Sequence, residues 1–214
     1  MISALEWMIA ARYLRPRREE GIISVIAAFS LLGIALGVAT LIVVMAVMNG
    51  FRAELLGRIL GLNGHIMVQD IGKPMTDYEQ IALTLRTAEG VVRVTPMVEG
   101  QAMAMVRGRA QGAVVRGIKP EDLRLREAVA GNIISGSLDQ FKGRDAIALG
   151  HRLSMRLGVR PGDKLTLVAP TTSAGPFGAV PRMKSYNVVA TFEVGMYEYD
   201  STFIFMPLSA AQVF

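Results

Sequence analysis

The sequence predicts a membrane-anchored α/β protein: one N-terminal transmembrane helix, then a mixed α/β exported domain with an inserted β-rich subdomain. Three observations lead to this fold class. They are an uncharged apolar run, arginines gathered on one side of it, and alternating strand and helix patterns in the rest of the chain. We predict an amphipathic segment at 1–20, the transmembrane helix at 21–48, a helical stalk at 49–63 and the exported domain at 64–214.

The transmembrane helix is predicted from residues 22–48, which include no charged side chain. About 20 apolar residues cross the roughly 30 Å of hydrocarbon in a bilayer, and a helix satisfies its own backbone hydrogen bonds there. One alternative is a buried helix of a soluble protein, but the rest of the chain is too small to enclose it. The other is a signal peptide, whose apolar region has about 7–15 residues before a small-x-small cleavage site. We therefore expect an uncleaved anchor.

The distribution of arginines predicts the orientation of this helix. Only Arg52 and Arg58 lie close behind the apolar run, and more arginines precede it. The positive-inside rule then keeps the N-terminus in the cytoplasm and exports the chain from about Asn49 onward. The arginines in front of the run are Arg12, Arg15, Arg17 and Arg18.

Short patterns flank and interrupt the span. Apolar residues at helical spacing in 5–14, next to Trp7, indicate either a helix lying in the inner headgroup region or an ordinary helical lead-in. Within the span, Gly33 and Gly37 form a small-xxx-small pair that lets a partner helix approach closely. The helical spacing continues beyond the membrane through 51–62, so the same helix could act as a lever.

The exported part alternates between strand and helix signals. We predict a strand at 65–69, a helix from the N-cap Asp77 to about Thr87, and a strand-like run at 91–98. The β-rich insertion is placed at about 101–144. Residues 207–214 have the pattern of the first turns of a helix, and we expect a further C-terminal part, possibly with more spans.

A long connection between two strand-like runs is predicted to carry a binding surface. Residues 170–182 contain three prolines and two apolar residues near the tip, whereas hairpin loops normally have about 2–5 residues. A docking protrusion and a loop packed on its own domain both fit this pattern. Arg182 and Lys184 at its base would steer an acidic partner. The candidate docking residues are Pro170, Gly175, Pro176, Phe177, Gly178, Val180, Pro181 and Arg182.

Composition and motifs argue against catalysis by this chain. Its 214 residues carry a formal charge of +5 and contain no cysteine. The arginines are scattered, so we expect no nucleic-acid partner. His65 and His151 have no metal-ligand spacing, and the P-loop, nucleophile-elbow and His-Glu-x-x-His patterns are missing. We expect no catalytic residues, no metal and no cofactor.

Several segments carry a resemblance to a known family: Arg-Tyr-Leu-Arg at 12–15, Gly-Ile-Ala-Leu-Gly-Val at 33–38, Val-Met-Asn-Gly-Phe at 47–51 and Ile-Leu-Gly at 59–61. They resemble the N-terminal part of the lipoprotein-releasing ABC transporter permeases of the LolC/LolE type. The resemblance continues through Ala-Leu-Gly at 148–150, Pro-Gly-Asp at 161–163 and Tyr-Asp-Ser at 199–201. The glycine motifs around 150 and 162 are shared with macrolide-exporter-type permeases.

The resemblance implies a non-catalytic subunit of the bacterial inner membrane with its main domain in the periplasm. Its partners would be a second permease subunit, a separate cytoplasmic ATPase subunit, lipoprotein substrates and a periplasmic lipoprotein chaperone. The loop at 170–181 occupies the place of the hairpin that recruits this chaperone, and this favours the LolC branch. We also expect Met45, Met48 and Phe51 to contact lipoprotein acyl chains, although plain lipid or helix contact fits them equally well. Alternative functions are efflux with an outer-membrane partner and a single-span sensor or scaffold.

Overall fold

The computed structural model describes residues 4–13, 21–70, 75–175 and 178–214. Within this part, the side chains of Pro170–Val180 are not described, apart from their backbone pairing. The chain divides into two compact units, Met1–Leu56 and Gly57–Phe214.

The described part of the first unit is helical. It consists of α1, Ala4–Tyr13, and most of α2, Gly21–Leu62. The 42 residues of α2 make a helix about 63 Å long at 1.5 Å per residue. Its stretch Val25–Leu62 is long and apolar enough to cross a membrane. Because roughly 30 Å of hydrocarbon uses about half of that length, the remainder is available for the predicted stalk at 49–63.

The second unit combines short helices with seven described strands. The helix α2 ends at Leu62, just before the helix-breaking pair Asn63-Gly64. The elements that follow are α3 (Tyr78–Arg86), β1 (Met97–Val106), β2 (Arg109–Ile118), α4 (Pro120–Arg124), α5 (Glu127–Ala130), β3 (Ile133–Gly136), a 3-10 turn (Leu138–Gln140), β4 (Ala146–Gly150), α6 (His151–Leu157), β5 (Lys164–Gly175), β6 (Gly178–Phe192), α7 (Tyr197–Thr202), β7 (Phe203–Pro207) and α8 (Leu208–Ala211).

The strands of the second unit form one sheet that closes on itself. Their order is β3-β6-β4-β7-β2-β1-β5, and β5 also pairs with β6. This last pairing joins six strands into a barrel, with β3 as an additional strand beside the C-terminal part of β6. The β2–β7 and β4–β6 pairs are parallel, and the other pairs are antiparallel. Closure leaves few unpaired strand edges.

Alternation along the strands divides the apolar side chains between two cores. On β4, Ile147 and Leu149 belong to one cluster, and Ala146 and Ala148 belong to the other. The strand residues of the first cluster face the barrel interior, where small residues such as Ala104 let six strands close tightly, and residues of α6 and α8 pack in the same cluster. The second cluster lies between the outer face of the sheet and the short helices. It contains Leu62, Ile118, Leu123, Val129, Leu138, Phe141, Phe192 and Phe205.

The local predictions between residues 65 and 98 are confirmed only in part. The helix predicted after Asp77 is confirmed as α3, although the Asp77 side chain makes no capping hydrogen bond. Residues 65–69 form no strand, and the run predicted at 91–98 becomes a strand only from Met97. Alternation predicts a strand, but a strand also needs a partner to take up its hydrogen bonds, and no described strand pairs with 65–69.

The stretch 101–144, predicted as a β-rich insertion, does not form a sheet of its own. It contributes most of β1 and all of β2, and these strands pair with β5 and β7 of the barrel. Their Ala and Val side chains alternate inward to fill the shared interior. The β-rich character predicted for this stretch is therefore present in β1 and β2, but it does not reveal that they pair with the later strands β5 and β7.

Candidate partner-docking hairpin and membrane helix

The predicted docking loop at 170–182 is built from paired strands. β5 runs to Gly175 and β6 starts at Gly178, so Pro176 and Phe177 alone separate them. The register continues from Lys164↔Asn187 to Gly175↔Gly178, with a shift between Val168 and Thr172. The prolines of this segment do not stop the strands from extending. Pro170 lies within the register shift, where a missing amide hydrogen is tolerated, and Pro181 pairs with Thr172.

The outer part of this hairpin pairs only with itself within the described chain. β1 pairs with β5 from Thr166 to Val168, and β4 pairs with β6 from Asn187 onward. The strands beyond those points have no third neighbour, and they form a two-stranded arm that we call the hairpin arm (residues 169–182). An isolated two-stranded ribbon is only marginally stable. The described strands of the arm therefore have unpaired backbone edges that a partner could use.

Of the candidate docking residues, the tip residues Pro176 and Phe177 lie outside the described residues, and the side chains of Pro170, Gly175, Gly178 and Val180 are not described. Pro181 and Arg182 at the base are exposed.

The two basic residues at the base of the arm already have intramolecular contacts. One guanidinium nitrogen of Arg182 donates to the backbone oxygen of Val213 over 2.6 Å. The ammonium group of Lys184 lies 2.9 Å from a carboxylate oxygen of Asp145. Among the described residues, Lys184 is paired with a carboxylate, whereas Arg182 contacts a neutral backbone oxygen.

One face of α2 carries Gly33, Gly37, Met48 and Phe51, whereas Met45 projects about 60° from Met48 and about 120° from Phe51. Successive helical residues are rotated by about 100°, so Phe51, five turns after Gly33, projects in the same direction. Met48 projects within about 20° of Gly37 by the same rule. An added Cβ would meet no atom within 4 Å at either glycine. Met45, Met48 and Phe51 are 60%, 59% and 59% exposed, so no described residue covers them.

The C-terminal end of α2 is held by a buried polar network that the sequence did not indicate. The Leu62 side chain is 1% exposed, and its backbone oxygen accepts hydrogen bonds from guanidinium groups of Arg116, over 3.1 Å, and Arg126. Arg116 also donates to the side-chain oxygen of Asn63 over 3.1 Å. The Asn63 amide nitrogen in turn donates to the Tyr199 hydroxyl over 2.6 Å.

Arg116 is the centre of this network, which we call the helix-end clamp (Leu62, Asn63, Arg116 and Arg126). Its side chain is 4% exposed and forms an ion pair of 2.6 Å with Glu99 on β1. The guanidinium group also lies 4.8 Å from the centre of the Phe203 ring. Burial lowers the pKa of Arg126, and the nearby positive charges of Arg116 and Arg93 lower it further, while Asp122 acts in the opposite direction.

Two motifs that carry the family resemblance meet in space. A Cβ added to Gly150 would lie 2.3 Å from the backbone oxygen of Asp200, so only glycine fits there. The Asp200 carboxylate is buried and accepts hydrogen bonds from the amides of Val194, over 2.8 Å, and Gly195, over 3.1 Å. These motifs therefore fix the β4–α6 turn against α7.

The third motif, Pro-Gly-Asp at 161–163, fixes the turn before β5. The Gly162 amide donates to the Val188 oxygen over 2.8 Å, and the Asp163 carboxylate accepts from the Arg160 amide over 2.9 Å. These contacts give the motif a structural role. Within the described ranges, no group of His, Asp and Glu side chains is arranged to hold a metal ion.

Comparisons with known proteins match nearly the whole chain. The model of the MacB-like periplasmic core domain matches residues 27–214. The lipoprotein-releasing system transmembrane protein LolC of Xylella fastidiosa is 38% identical over 94% of this chain and 48% of its own length. The protein of that name from Neisseria meningitidis is 34% identical over 98% of this chain and 51% of its own. LolE of Haemophilus influenzae is 25% identical over 97% and 51%.

The chain spans about half the length of these curated relatives. Their names confirm the resemblance to lipoprotein-releasing permeases that the sequence motifs predicted. The predicted fold class, an apolar N-terminal helix followed by a mixed α/β domain, is also confirmed. The chain belongs to the family of the MacB-like periplasmic core domain.

Proposed function

We propose that this chain is part of the permease subunit of an ABC transporter that extracts lipoproteins from the outer leaflet of the inner membrane and passes them to a periplasmic chaperone. The observation that carries the proposal is the match of almost the entire chain to relatives named as LolC. The relatives at 34–38% identity are both named LolC, which favours a LolC-like role, whereas the LolC and LolE of Haemophilus influenzae are about equally similar to this chain, at 27% and 25%.

In this function the chain itself does no chemistry. A separate cytoplasmic ATPase subunit supplies the energy, and a second permease subunit completes the membrane part. The arginines before α2 keep the N-terminus in the cytoplasm, and the second unit lies in the periplasm. The Gly33–Gly37 face of α2 receives a helix of the second subunit, because small residues let two helix backbones come close.

The outer part of the same helix face, with Met45 beside it, would contact the substrate. Met45, Met48 and Phe51 are exposed apolar residues near the periplasmic end of the predicted span. Methionine adapts to irregular apolar ligands such as acyl chains. A face that carries glycines deeper in the membrane and these larger side chains farther out can hold a partner helix and still leave room for lipid at its outer end.

The hairpin arm would recruit the chaperone. Its outer strands have no third neighbour among the described strands, and the exposed Arg182 lies at its base. Strand ribbons with a free edge and an apolar tip bind partners through backbone pairing and side-chain contacts.

Replacing Phe177 and Val180 by Asp tests this role. We expect loss of cross-linking between the permease and the chaperone, because charged side chains at the tip disfavour an apolar contact, with ATP hydrolysis unchanged. A matched control introduces the same two charges elsewhere on the second unit, at Val92 and Met155, which are 97% and 59% exposed. Normal chaperone cross-linking by the hairpin variant would contradict the docking role.

A second candidate function is efflux of a small molecule or peptide, since the matching family model is MacB-like. The two functions predict different partners in a pull-down with the full-length protein. Capture of a soluble lipoprotein chaperone supports lipoprotein release, whereas capture of an outer-membrane tunnel protein supports efflux. Capture of a kinase would instead support the sensor alternative.

A further inference from the structure

The carbonyl groups at the end of a helix have no partner within the helix, and most are satisfied by water or by a capping residue. The end of α2 differs because its last carbonyl is buried with the Leu62 side chain and receives two guanidinium groups. Positive charge is favourable at the negative end of a helix dipole, but one cation is enough for that purpose.

Placing two arginines on one carbonyl is electrostatically costly. Arg116 has the Glu99 carboxylate as a counterion, whereas the contact described for Arg126 here is the neutral Leu62 oxygen. Well-packed apolar residues often stabilise a protein as well as buried charges do. The clamp is therefore better explained by a need to fix the direction of the helix end than by a need for stability.

The two arginines connect the helix end to different parts of the second unit. Arg116 projects from β2 of the barrel, and Arg126 precedes α5 in the layer of short helices. Apolar contacts support the same connection. A Cβ added to Gly61 would lie 3.1 Å from the Cβ of Ala128 on α5, and Leu62 packs in the second core cluster.

We propose that Arg116 and Arg126 are positioning residues for transport, which fix the end of α2 to the exported domain so that movement of the helix is passed to that domain. This inference rests on the proposed function. It adds a specific prediction: loosening the clamp separates ATP hydrolysis from lipoprotein release.

The test compares two arginines of the same segment in the full-length permease, purified with its partner subunits and placed in lipid vesicles with a lipoprotein. Arg126→Met removes a bond to the helix end. Arg124→Met is the matched control, because Arg124 donates to the backbone oxygen of Leu138 over 3.2 Å. We expect lipoprotein released per ATP hydrolysed to fall about tenfold for Arg126→Met, the factor expected for one hydrogen bond to a charged group. Arg124→Met should stay within about twofold of the unmodified complex.

A covalent connection provides a second measurement of the same role. The chain has no cysteine, and Cβ atoms at positions 61 and 128 would lie 3.1 Å apart, so a disulfide between Gly61→Cys and Ala128→Cys needs these positions to separate only slightly, towards the roughly 3.5–4.5 Å of ordinary disulfides. Adding this pair to Arg126→Met should restore release under oxidising conditions and not after reduction.

Three results would overturn the inference. One is normal release by Arg126→Met, another is an equal fall in release and ATP hydrolysis, and the third is a formed disulfide that leaves release low. Absence of ATP-dependent release from the unmodified complex would instead contradict the proposed function, so the two failures are distinguishable.

Discussion

Replacing Gly150 by Ala should destabilise the second unit strongly. The added Cβ would lie 2.3 Å from the backbone oxygen of Asp200, and it would also lie 2.6 Å and 2.8 Å from the carbonyl carbon and the Cα of that residue. Ordinary contacts start at 3.4 Å, so the backbone must separate by about 1.1 Å. No flexible side chain can move aside to make this space.

The magnitude follows from what holds Asp200 in place. Its buried carboxylate accepts hydrogen bonds from the Val194 and Gly195 amides, and a shift of the Asp200 backbone weakens at least one of them. Overpacking costs about 1–3 kcal/mol, and a hydrogen bond to a charged group contributes about 1.5–3 kcal/mol. We therefore expect Gly150→Ala to lower the free energy of unfolding by about 3–5 kcal/mol.

The assay is urea unfolding of the detergent-purified protein, followed by near-ultraviolet circular dichroism of its tyrosines. Gly112→Ala is the control, because a Cβ at this strand position meets nothing within 4 Å. It should be neutral or stabilising by up to about 1 kcal/mol, since alanine has less freedom in the unfolded chain. Equal unfolding midpoints for the Gly150 and Gly112 variants would refute the close-approach argument.

Three further changes test other features of the second unit. Burial raises the pKa of Asp200, although hydrogen bonds from two backbone amides act in the opposite direction. Because the folded state binds this proton more tightly than the unfolded state, protonation of Asp200 stabilises the fold. This stabilisation is lost as pH rises through the folded-state pKa. The free energy of unfolding of the unmodified protein relative to Asp200→Asn should therefore increase as pH falls from about 7 towards 4, and a flat difference would contradict this. The buried Tyr186 hydroxyl has no hydrogen-bond partner among the described residues, and burial, followed by the charge of Asp145, raises its pKa to about 12. Tyr186→Phe should thus raise the free energy of unfolding by about 1 kcal/mol, which thermal unfolding would detect as a higher midpoint. A lower midpoint would show that the hydroxyl has a hydrogen-bond partner. Arg107, in the β1–β2 turn, has a left-handed backbone with φ of 47°, which asparagine adopts more easily than arginine. Arg107→Asn should therefore raise the free energy of unfolding, measured in urea, by about 0.5–1 kcal/mol. A lower free energy of unfolding would reject the strain argument.

Much of the architecture could be predicted because its signals are local. The uncharged run at 22–48 predicts its helix by length alone, and Asp77 followed by helical spacing predicts α3. Pairing of distant segments has no such local signal. The sequence therefore did not indicate that β1 pairs with β5, or that this pairing closes the barrel.

The candidate site was predictable in its position but not in its form. Proline content indicated an unusual connection at 170–182, yet it suggested an unpaired loop where the strands in fact continue to Gly175 and Gly178. The helix-end clamp could not be predicted, since Arg116 and Arg126 belong to a set of scattered arginines that the sequence presents as ordinary surface charges. Their role depends on burial at the end of a helix more than fifty positions earlier in the chain, as the bonds to Leu62 show.

The most direct test of the account is ATP-dependent release of a lipoprotein from vesicles that contain the full-length permease with its partner subunits, measured in the presence of the soluble chaperone. We expect lipoprotein to appear in the soluble fraction only with ATP and chaperone. The double substitution Phe177→Asp and Val180→Asp should abolish this transfer while ATP hydrolysis continues. Lipoprotein that stays in the vesicles under all conditions, while the same complex exports a small molecule, would contradict it.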